Sequence, residues 1–540
     1  LPLKKQKILT IMKVVISFFL VVFMSLGLHA EDGHSLWLRQ QDPVPVTVVC
    51  QAGSATLDIA RRELQMGWQG KANEKVVLTV RPDKRIKGDG YRISGGEIQA
   101  NTHAGILYGV YDMLRRQRTG MRTGDEIINP SYERRLLNHW DNPDGSVERG
   151  YAGLSIFWRK GEDSLTVTAT DRQRWQEYAR ANASVGINGA VLNNVNASPR
   201  VLTPAYLNKV QTIADILRPY GVKTYLAVNF ASPAVIGGLE TSDPLEPQVA
   251  AWWKDKVREI YALIPDFGGF LVKANSEGQP GPQNFGRTHA DGANMIADAL
   301  EPFGGIVMWR AFVYNPEEED RAKQAYAEFM PFDGLFRDNV IIQVKNGPVD
   351  FQPREPFSPL FGAMKKTPVM AELQVTQEYL GQSVHLVFLA PMWEEFLQSE
   401  TFQEGKGSSV ARCTDGSLFP QQYTAIAGVA NTGLDVNWCG HHFAQANWYA
   451  FGRMAWDNQI SSAQIADEWL RLTFQPVAWK DSAQEAAFSV EWNLNFLEPV
   501  KNMMLQSREA AVNYMMPLGL HHIFSADEHY GPGPWWDPEW

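Results

Sequence analysis

Cysteine is scarce in this 540-residue sequence, which holds three, at Cys50, Cys413 and Cys439. So few cysteines exclude a small secreted domain that depends on a disulfide framework. Their odd number and wide spacing are also unlike the ligand spacing of a structural zinc site. We therefore expect at most one disulfide bridge, for which Cys413 and Cys439 are the favoured pair.

Sequence motifs for cofactors and metals are also lacking. The chain contains no Gly-x-Gly-x-x-Gly turn, no Gly-x-Ser-x-Gly elbow and no His-Glu-x-x-His motif. Two adjacent histidine pairs do occur, at His441-His442 and His521-His522. Because adjacent residues point in different directions, we interpret both pairs as structural or substrate-contacting, and we expect no metal ion and no cofactor.

Positively charged residues are fewer than negatively charged ones. Against 60 Asp and Glu stand 50 Lys and Arg, so the net charge is -10 at pH 7 and gives no reason to expect a nucleic-acid partner. A content of 44% hydrophobic and 11% aromatic residues excludes a disordered or fibrous chain. The length predicts about three domains, or one large barrel with additions.

The first 30 residues have the pattern of an export signal. Met12 and a lysine precede an apolar run over 14–24, and small residues follow as far as Ala30. This order is typical of a signal peptide that is cleaved after Ala30. A membrane anchor is the alternative, but the run is short for a bilayer and no basic segment follows it. We expect translation to begin at Met12 and predict export to the periplasm, the cell envelope or the extracellular space.

Short apolar runs alternate with helix-like segments eight times between residues 136 and 460. Runs of this kind indicate buried parallel strands, and eight strand–helix repeats are typical of a (β/α)8 TIM barrel. A doubly wound open sheet is the alternative, but no glycine-rich dinucleotide turn follows the first strand. The predicted strands are 136–140, 187–193, 222–229, 269–275, 305–310, 340–345, 368–374 and 424–430.

Two further domains flank the predicted barrel. Residues 31–135 combine strand-like and helical runs and indicate a small α/β domain. Residues 461–540 turn helical, and we interpret them as the beginning of an α-helical domain that is not complete at Trp540. The fold class predicted is thus α/β, with a signal peptide over 1–30 and the barrel over 136–460. The runs that carry this division are 46–49, 76–80, 104–114, 465–472, 486–497 and 503–515.

Charged residues concentrate at the carboxyl ends of the predicted strands, which is where TIM barrels place their chemistry. Three carboxylates and three cations stand there. A buried carboxylate on a substrate needs charge-assisted partners, whereas a neutral sugar does not need three cations. The pattern therefore predicts an anionic substrate. The carboxylates are Glu277, Asp350 and Glu378, and the cations are Lys273, Arg310 and Lys345.

The carboxylates fit glycoside hydrolysis, which needs one protonated acid at the leaving oxygen and one ionised carboxylate on the opposite face. Glu277 is the favoured acid, because Gly and Pro residues frame its loop. Asp350 and Glu378 are candidates for activating water from across the barrel mouth. Trp140 and Trp309 stand at strand ends, where they can stack on sugar rings. Core packing is instead expected for Trp158, Trp252, Trp253 and Trp469.

Four motifs resemble those of family-67 α-glucuronidases: residues 138–142 (NHWDN), 272–282 (VKANSEGQPGP), 343–355 (QVKNGPVDFQPRE) and 372–379 (ELQVTQEY). The resemblance runs from about residue 35 to the last residue. It implies an exo-acting, inverting enzyme of xylan degradation. Such an enzyme removes 4-O-methyl-D-glucuronic acid from the non-reducing end of xylo-oligosaccharides, so its substrates are aldouronic acids.

The resemblance also implies roles for individual residues. Glu277 is the general acid, and Asp350 and Glu378 form the pair that positions and activates water, with the proton acceptor of the pair left open. The cations hold the uronate carboxylate and ring hydroxyls, and Val195 lies near the 4-O-methyl group. The family's larger C-terminal helical domain completes one side of the site and dimerises, so a homodimer is expected of a full-length protein. The substrate-binding set assigned is Lys273, Arg310, Lys345, Trp140, Val195 and Asn193.

One physical tension remains in this assignment. Lys273 lies four residues before Glu277, and a cation in contact with a carboxyl group favours its ionised form. A general acid must instead be protonated near neutral pH, which burial or neighbouring carboxylates favour. We therefore expect the Lys273 ammonium to face the substrate carboxylate and not Glu277.

Two other functions stay open at this point. The first is another exo-acting barrel glycosidase, such as a β-hexosaminidase, which also has a small domain before its barrel but needs an adjacent Asp-Glu pair at a strand end. Asp125-Glu126 and Asp467-Glu468 lie away from the predicted strand ends. A non-catalytic sugar-binding protein is the other alternative, and the presence of all three carboxylates argues against it. Release of N-acetylhexosamine without action on uronates would favour the first, and binding without hydrolysis the second.

Overall fold

A computed structural model describes most of the chain between residues 31 and 515. The predicted signal peptide, His521-His522 and the chain end at Trp540 lie outside the described residues. No helix within the described part has the length and apolar character that crossing a membrane requires. The described ranges are 31–39, 42–121, 124–161, 165–312, 321–376, 378–380, 385–474 and 489–515.

The amino-terminal region forms a five-stranded mixed sheet with two helices packed on it. Its elements are β1 (Val46–Cys50), α1 (Ala55–Gly67), β2 (Glu74–Val80), β3 (Tyr91–Ser94), β4 (Glu97–Ala100), α2 (His103–Thr119) and β5 (Glu126–Ile128). The strands lie in the order β1-β2-β4-β3-β5. Strands β3 to β5 were not predicted, because runs of three or four residues carry too little periodicity to be recognised. Helix α2 begins where Thr102 accepts a hydrogen bond from Gly105 and ends at Gly120, whose φ is +72°.

Eight parallel strands close into a barrel, which confirms the predicted fold. Every strand overlaps one of the predicted runs. The strands are β6 (Arg134–Asn138), β7 (Gly189–Val191), β8 (Lys223–Val228), β9 (Gly269–Val272), β10 (Ile306–Arg310), β11 (Val340–Lys345), β12 (Val369–Gln374) and β13 (Ala425–Val429). The ring closes because β13 pairs with β6 and β9 pairs with β10.

The alternation of side chains along each strand decides what faces the barrel interior. On β10, Met308 belongs to a small inner cluster with Leu136, Leu271 and Met370, while Trp309 belongs to the large outer core. Arg310, two residues beyond Met308, therefore points inward at the carboxyl end. The same step of two places Lys273 above Leu271. The barrel thus has an apolar floor and a charged mouth.

Helices cover the barrel and continue into the carboxyl-terminal region. They are α3 (Ala169–Ser184), α4 (Pro204–Leu217), α5 (Ser232–Val235), α6 (Pro247–Leu263), α7 (His289–Leu300), α8 (Arg321–Phe329), α9 (Ala390–Gln398), α10 (Val410–Thr414), α11 (His442–Trp456), α12 (Ser462–Thr473) and α13 (Glu498–Met515). A π-helical turn over Asn493–Leu497 precedes α13. Between β11 and β12, by contrast, residues 346–368 form turns and no helix. One repeat of the barrel therefore has a loop where the alternating pattern suggested a helix.

A cluster of buried charges joins the amino-terminal domain to the last helices, and we call it the interdomain cluster. Asp112 on α2 binds Arg115 and Arg116, and Glu468 on α12 binds Arg453 at 2.9 Å. Arg115 lies 3.9 Å from Glu468 and so links the two halves. Burial raises the pKa of Glu468, but Arg453 and Arg115 outweigh burial and lower it to about 2.

The three cysteines are all free, so the expected Cys413–Cys439 bridge does not form. Cys413 lies on α10 before β13, beside the Thr401 hydroxyl, whereas Cys439 follows β13. The strand between them carries the two thiols to opposite ends of the barrel, which is why proximity in sequence was misleading. Burial raises the pKa of Cys439 to about 12, so its thiol is protonated at neutral pH.

Candidate active site

Glu277 stands at the tip of a tight turn after β9. The Gln279 N–H donates to the Ser276 carbonyl at 2.9 Å, and the two central residues, Glu277 and Gly278, have φ of +48° and +74°. Positive φ at both central positions is the geometry of a type I′ turn, which Gly accepts and Glu tolerates at a cost. Gly281 is also required, because a Cβ there would lie 2.1 Å from the Asn275 amide oxygen. The loop therefore presents one acidic side chain on a fixed frame.

Lys273 and Glu277 form a direct ion pair, so the expectation that they would not touch is wrong. The Lys273 side chain is 1% exposed, whereas that of Glu277 is 44% exposed. A buried ammonium needs an anionic partner, and the turn holds one four residues away. Asn196 also accepts a hydrogen bond from the ammonium at 2.8 Å. Burial and Arg310 hold the pKa of Lys273 below its ordinary value, although Glu277 acts in the opposite direction.

The three predicted cations converge on one aromatic ring, that of Phe312. The Lys345 ammonium lies 3.5 Å from the ring centroid, the Arg310 guanidinium carbon 5.2 Å and the Lys273 ammonium 5.8 Å. The negative face of an aromatic ring attracts cations at these distances. Phe312 is 7% exposed and follows β10 by two residues. The ring thus helps to hold three like charges close together.

Arg310 is anchored by a buried carboxylate on another strand of the barrel. Its Nε lies 2.8 Å from Glu372 Oε2 and 3.1 Å from Oε1, and both side chains are almost fully buried. Two strand-end residues on β10 and β12 are therefore joined across β11. The Arg310 Nη2 atom is buried and has no hydrogen-bond partner among the described residues. A buried guanidinium nitrogen without a partner is a donor available to a bound anion.

Asp350 lies in the loop that replaces a helix between β11 and β12. One of its oxygens binds the Lys345 ammonium, and the other accepts a 2.6 Å hydrogen bond from the Tyr379 hydroxyl. Glu355 holds the loop by accepting three backbone N–H bonds of 2.7 to 3.0 Å, from residues 349, 350 and 352. Burial raises the pKa of Glu355, and those N–H bonds oppose the rise.

Glu378 is the more enclosed of the two remaining carboxylates. Its Oε1 lies 2.7 Å from Arg149 Nε, and its Oε2 accepts a 2.7 Å hydrogen bond from the Gln374 amide. The Glu378 side chain is 6% exposed and that of Arg149 is 29% exposed. Because Tyr379 follows Glu378 directly and reaches Asp350, the two carboxylates are joined through adjacent residues. The structure therefore brings Asp350 and Glu378 into one network.

The apolar and amide residues of the predicted set lie in different surroundings. Trp140 and Val195 are buried in the inner cluster, and the Trp140 ring lies 6.0 Å from the Arg310 guanidinium carbon. The Asn193 amide exchanges hydrogen bonds of 2.9 and 3.0 Å with the backbone of Ala227, so it fastens β7 to β8. Its role toward a substrate stays a prediction.

Trp309 does not reach the barrel mouth, and the prediction that it stacks on a sugar is wrong. It is fully buried in the outer core, and its indole N–H donates to His289 Nδ1 at 3.1 Å. Strand alternation explains this, since Arg310 and Trp309 are neighbours and only one of them can face inward.

Sequence profiles of known families match most of the chain. Residues 115–438 match the Glycosyl hydrolase family 67 middle domain, and residues 439–540 match the Glycosyl hydrolase family 67 C-terminus. The chain belongs to glycosyl hydrolase family 67. This confirms the resemblance carried by the four motifs.

Curated relatives of this family 67 chain are named as α-glucuronidases. Alpha-glucuronidase A of Emericella nidulans is 39% identical over 577 residues, which cover 96% of this chain and 65% of the relative. Alpha-glucuronidase of Hypocrea jecorina is 42% identical over 470 residues, which cover 84% of this chain and 53% of the relative. The chain thus spans between about half and two thirds of the length of these relatives.

A solved structure supports the fold alone. A GH138 enzyme that targets pectin rhamnogalacturonan II matches with a TM-score of 0.52 at 14% identity. The match covers 87% of this chain and 56% of that enzyme.

Several residues of the family 67 site escaped sequence reasoning. Arg149 lies in a long loop after β6, 229 residues from its partner Glu378, and no local pattern connects them. Phe312 follows a strand, and its position in the sequence predicts only packing in the hydrophobic core. Glu372 could be recognised from the sequence, because it follows Met370 by two residues on an inward-facing row. A buried acid at that position needs a cation across the barrel mouth.

Other features of the molecule lie away from this site. A cavity of about 660 Å³ opens at the amino end of the barrel, beside Arg134, Lys223 and Asp266, and none of the predicted site residues reaches it. His441 caps the start of α11, and His442 lies 2.9 Å from Glu31. Within the described ranges, no group of three or more His, Cys, Asp or Glu side chains is arranged to hold a metal ion.

Proposed function

We propose that this chain is an exo-acting, inverting α-glucuronidase. It would release D-glucuronic acid or its 4-O-methyl ether from the non-reducing end of glucuronoxylan-derived oligosaccharides. The observation that carries the proposal is the convergence of Lys273, Arg310 and Lys345 on one ring at the carboxyl end of a barrel. Three cations around one point are suited to a sugar that carries a carboxylate.

The cations divide the work of binding. Arg310 is fixed by Glu372, and its free Nη2 donates to the uronate carboxylate. Lys273 and Lys345 act as point charges on the carboxylate and on ring hydroxyls. Trp140 and Val195 form an apolar wall beside Arg310, and Val195 faces the 4-O-methyl group.

Glu277 serves as the general acid. The turn carries its carboxyl group at the barrel mouth, where it can donate a proton to the departing xylose oxygen. Asp350 and Glu378 lie on the face of the sugar from which water attacks. Tyr379 and Lys345 orient Asp350, while Arg149 and Gln374 orient Glu378, so that the pair holds one water for attack at the anomeric carbon.

Inversion follows from the separation of these roles. One displacement by water, with the acid on one face and the water pair on the other, replaces the α-linkage by a β-hydroxyl. The relatives' names support the α-glucuronidase assignment. Export stays part of this proposal, because the leader lies outside the described residues.

A pair of matched substrates tests the proposal. An aldouronic acid and the same xylo-oligosaccharide carrying α-glucose in place of α-glucuronic acid differ in one carboxylate. We expect the acid to be cleaved and the neutral compound to be cleaved at least 100-fold more slowly, because it leaves buried cations unpaired. Equal cleavage would contradict the role of the cations, and release of N-acetylhexosamine from a chitobiose substrate would favour a β-hexosaminidase.

A further inference from the structure

The cations of the described site are already paired with carboxylates when no substrate is bound. Four cation–carboxylate pairs form among the described residues of the site, and two further carboxylates, Glu148 and Glu355, lie beside them. A uronate adds one more carboxylate without adding a cation. Arg310 Nη2 is a donor still available to it, but a uronate that also contacts Lys273 draws this cation from its carboxylate, and a carboxylate without a cation favours its protonated form. The pairs are Lys273–Glu277, Arg310–Glu372, Lys345–Asp350 and Arg149–Glu378.

The four carboxylates are not held equally. Glu372 receives two contacts from Arg310 Nε and is fully buried. Asp350 and Glu378 each have a second donor, Tyr379 and Gln374 respectively. Among the described residues, Lys273 is the one hydrogen-bond donor to Glu277.

Geometry also makes Glu277 the partner that moves. The Lys273 ammonium is buried, held by Asn196 and close to Phe312, so it cannot follow a displaced carboxylate outward. Glu277 stands on an exposed turn tip with four-tenths of its side chain accessible. A uronate that approaches Lys273 therefore competes with Glu277 for the same ammonium.

We infer that the substrate's own carboxylate causes the general acid, Glu277, to become protonated. By taking Lys273 from Glu277, the uronate leaves the Glu277 carboxyl beside an anion and away from its cation, and Glu277 takes up a proton from solvent. This inference rests on the proposed function. It resolves the conflict between a general acid and the lysine that it contacts, because the contact belongs to the empty site. It also makes the uronate carboxylate a condition for catalysis as well as for binding.

The charged groups that face Glu277 are consistent with this exchange. Besides Lys273, the Arg310 guanidinium attracts Glu277, and it attracts Asp350 and Glu372 as well. The Glu148 carboxylate accepts a hydrogen bond from Asn196, which also binds the Lys273 ammonium. Lys345 faces Lys273 within the same cluster. A bound uronate lies among these cations and weakens their attraction for Glu277. This weaker attraction and the loss of Lys273 both favour protonation of Glu277.

Proton uptake on binding is the direct test. The whole chain is titrated calorimetrically with D-glucuronic acid near pH 7 in two buffers of different ionisation enthalpy, which counts the protons taken up. We expect wild type to take up close to one proton, and its affinity to fall about tenfold per pH unit as the pH rises. Binding with no proton uptake would overturn the inference.

Variants identify the group that accepts the proton. Glu277→Gln should abolish the uptake and bind D-glucuronic acid roughly fivefold tighter, because the competing anion is gone. Asp350→Asn should retain the uptake, and so should Glu498→Gln, a matched control whose carboxylate pairs with Lys501 on the surface. Uptake that persists in Glu277→Gln would assign the proton to another group, such as Lys273, and would overturn the inference.

The two proposals fail in distinguishable ways. If wild type cleaves aldouronic acids and binds D-glucuronic acid without taking up a proton, the proposed function stands and the inference falls. If D-glucuronic acid does not bind and aldouronic acids are not cleaved, both fall together.

Discussion

The interdomain cluster and the Lys273–Glu277 pair both bring opposite charges into contact, yet they hold their carboxylates differently. Glu468 is 2% exposed and accepts hydrogen bonds from Arg453 and Tyr449, each at 2.9 Å. Glu277 is 44% exposed and depends on Lys273. A carboxylate with several buried donors is a permanent part of the fold. A carboxylate with one donor and open solvent beside it can exchange its partner.

The largest effect is expected at the exchangeable pair. Glu277→Gln should lower kcat on aldouronic acids by about 1,000-fold, because it removes the proton donor to a poor leaving group. The melting temperature should also fall, because the buried Lys273 ammonium loses its anionic partner, but by less than for a pair with both members buried, since Glu277 is 44% exposed. Initial rates by sugar analysis and thermal unfolding measure the two quantities.

A substrate with a better leaving group provides the control for that variant. On an α-glucuronide of 4-nitrophenol, which needs little acid assistance, Glu277→Gln should lose far less activity. An equal loss on both substrates would show that Glu277 does more than donate a proton.

The permanent cluster should respond in the opposite way. Glu468→Gln should lower the free energy of unfolding by about 3 kcal/mol, because it leaves Arg453 and Arg115 buried without a full negative charge. Activity per folded molecule at low temperature should be unchanged. Denaturant unfolding and rates on aldouronic acids test this. The matched control is the neighbouring Asp467→Asn, whose partly exposed contacts with Arg471 and Lys501 should contribute less than about 1 kcal/mol.

Acid should weaken the same cluster. The folded-state pKa of Glu468 is about 2, against an ordinary value of 4.5, so its stabilisation is complete above about pH 4.5 and is lost as the pH falls toward 2. The shift corresponds to about 3 kcal/mol. Unfolding free energies measured from pH 6 to pH 3 should fall more steeply for wild type than for Glu468→Gln. Parallel slopes would contradict the assignment.

A smaller effect is expected where a buried carboxylate positions a catalytic one. Glu355→Gln places an amide group against backbone N–H donors and should loosen the Asp350 loop. We expect kcat to fall about tenfold through misplacement of Asp350, with KM changed less. A Glu355→Asp variant should recover part of kcat if the role is positioning. A rise in KM with kcat unchanged would contradict a positioning role for Glu355.

The smallest effect concerns a surface pair between the Asp350 loop and α13. Arg354 contacts Glu509, and both side chains are 48% exposed. Glu509→Gln should change the free energy of unfolding by less than about 1 kcal/mol, because solvent screens exposed pairs. A larger change, measured by denaturant unfolding, would mean that α13 supports the site more strongly than exposure indicates.

The sequence predicted the barrel well because its signal is repeated. Each of the eight strands recurs as a short apolar run, and a step of two along each strand places Lys273 and Arg310 in the mouth. The same rule, applied to Trp309, would have excluded it from the site. A position at the end of a strand does not by itself place a side chain in the mouth, because the alternation along the strand decides which face it takes.

Partners across the fold were beyond sequence reasoning. Arg149 with Glu378 and Tyr379 with Asp350 join separate loops, and their pairing depends on barrel closure. The spacing of four residues brings Lys273 and Glu277 within reach of each other, but the expectation that they stay apart rests on the needs of the substrate complex. In the empty site the buried Lys273 ammonium pairs with Glu277, because a buried cation needs an anionic partner.

Stereochemistry tests the central claim most directly. Wild-type chain is incubated with an aldouronic acid in an NMR tube, and the anomeric proton of the released uronic acid is followed before mutarotation. The proposed α-glucuronidase predicts that the β-anomer appears first and the α-anomer later, as a single displacement at the anomeric carbon by the water that Asp350 and Glu378 hold requires. Initial release of the α-anomer, or no release of uronic acid, would contradict the account.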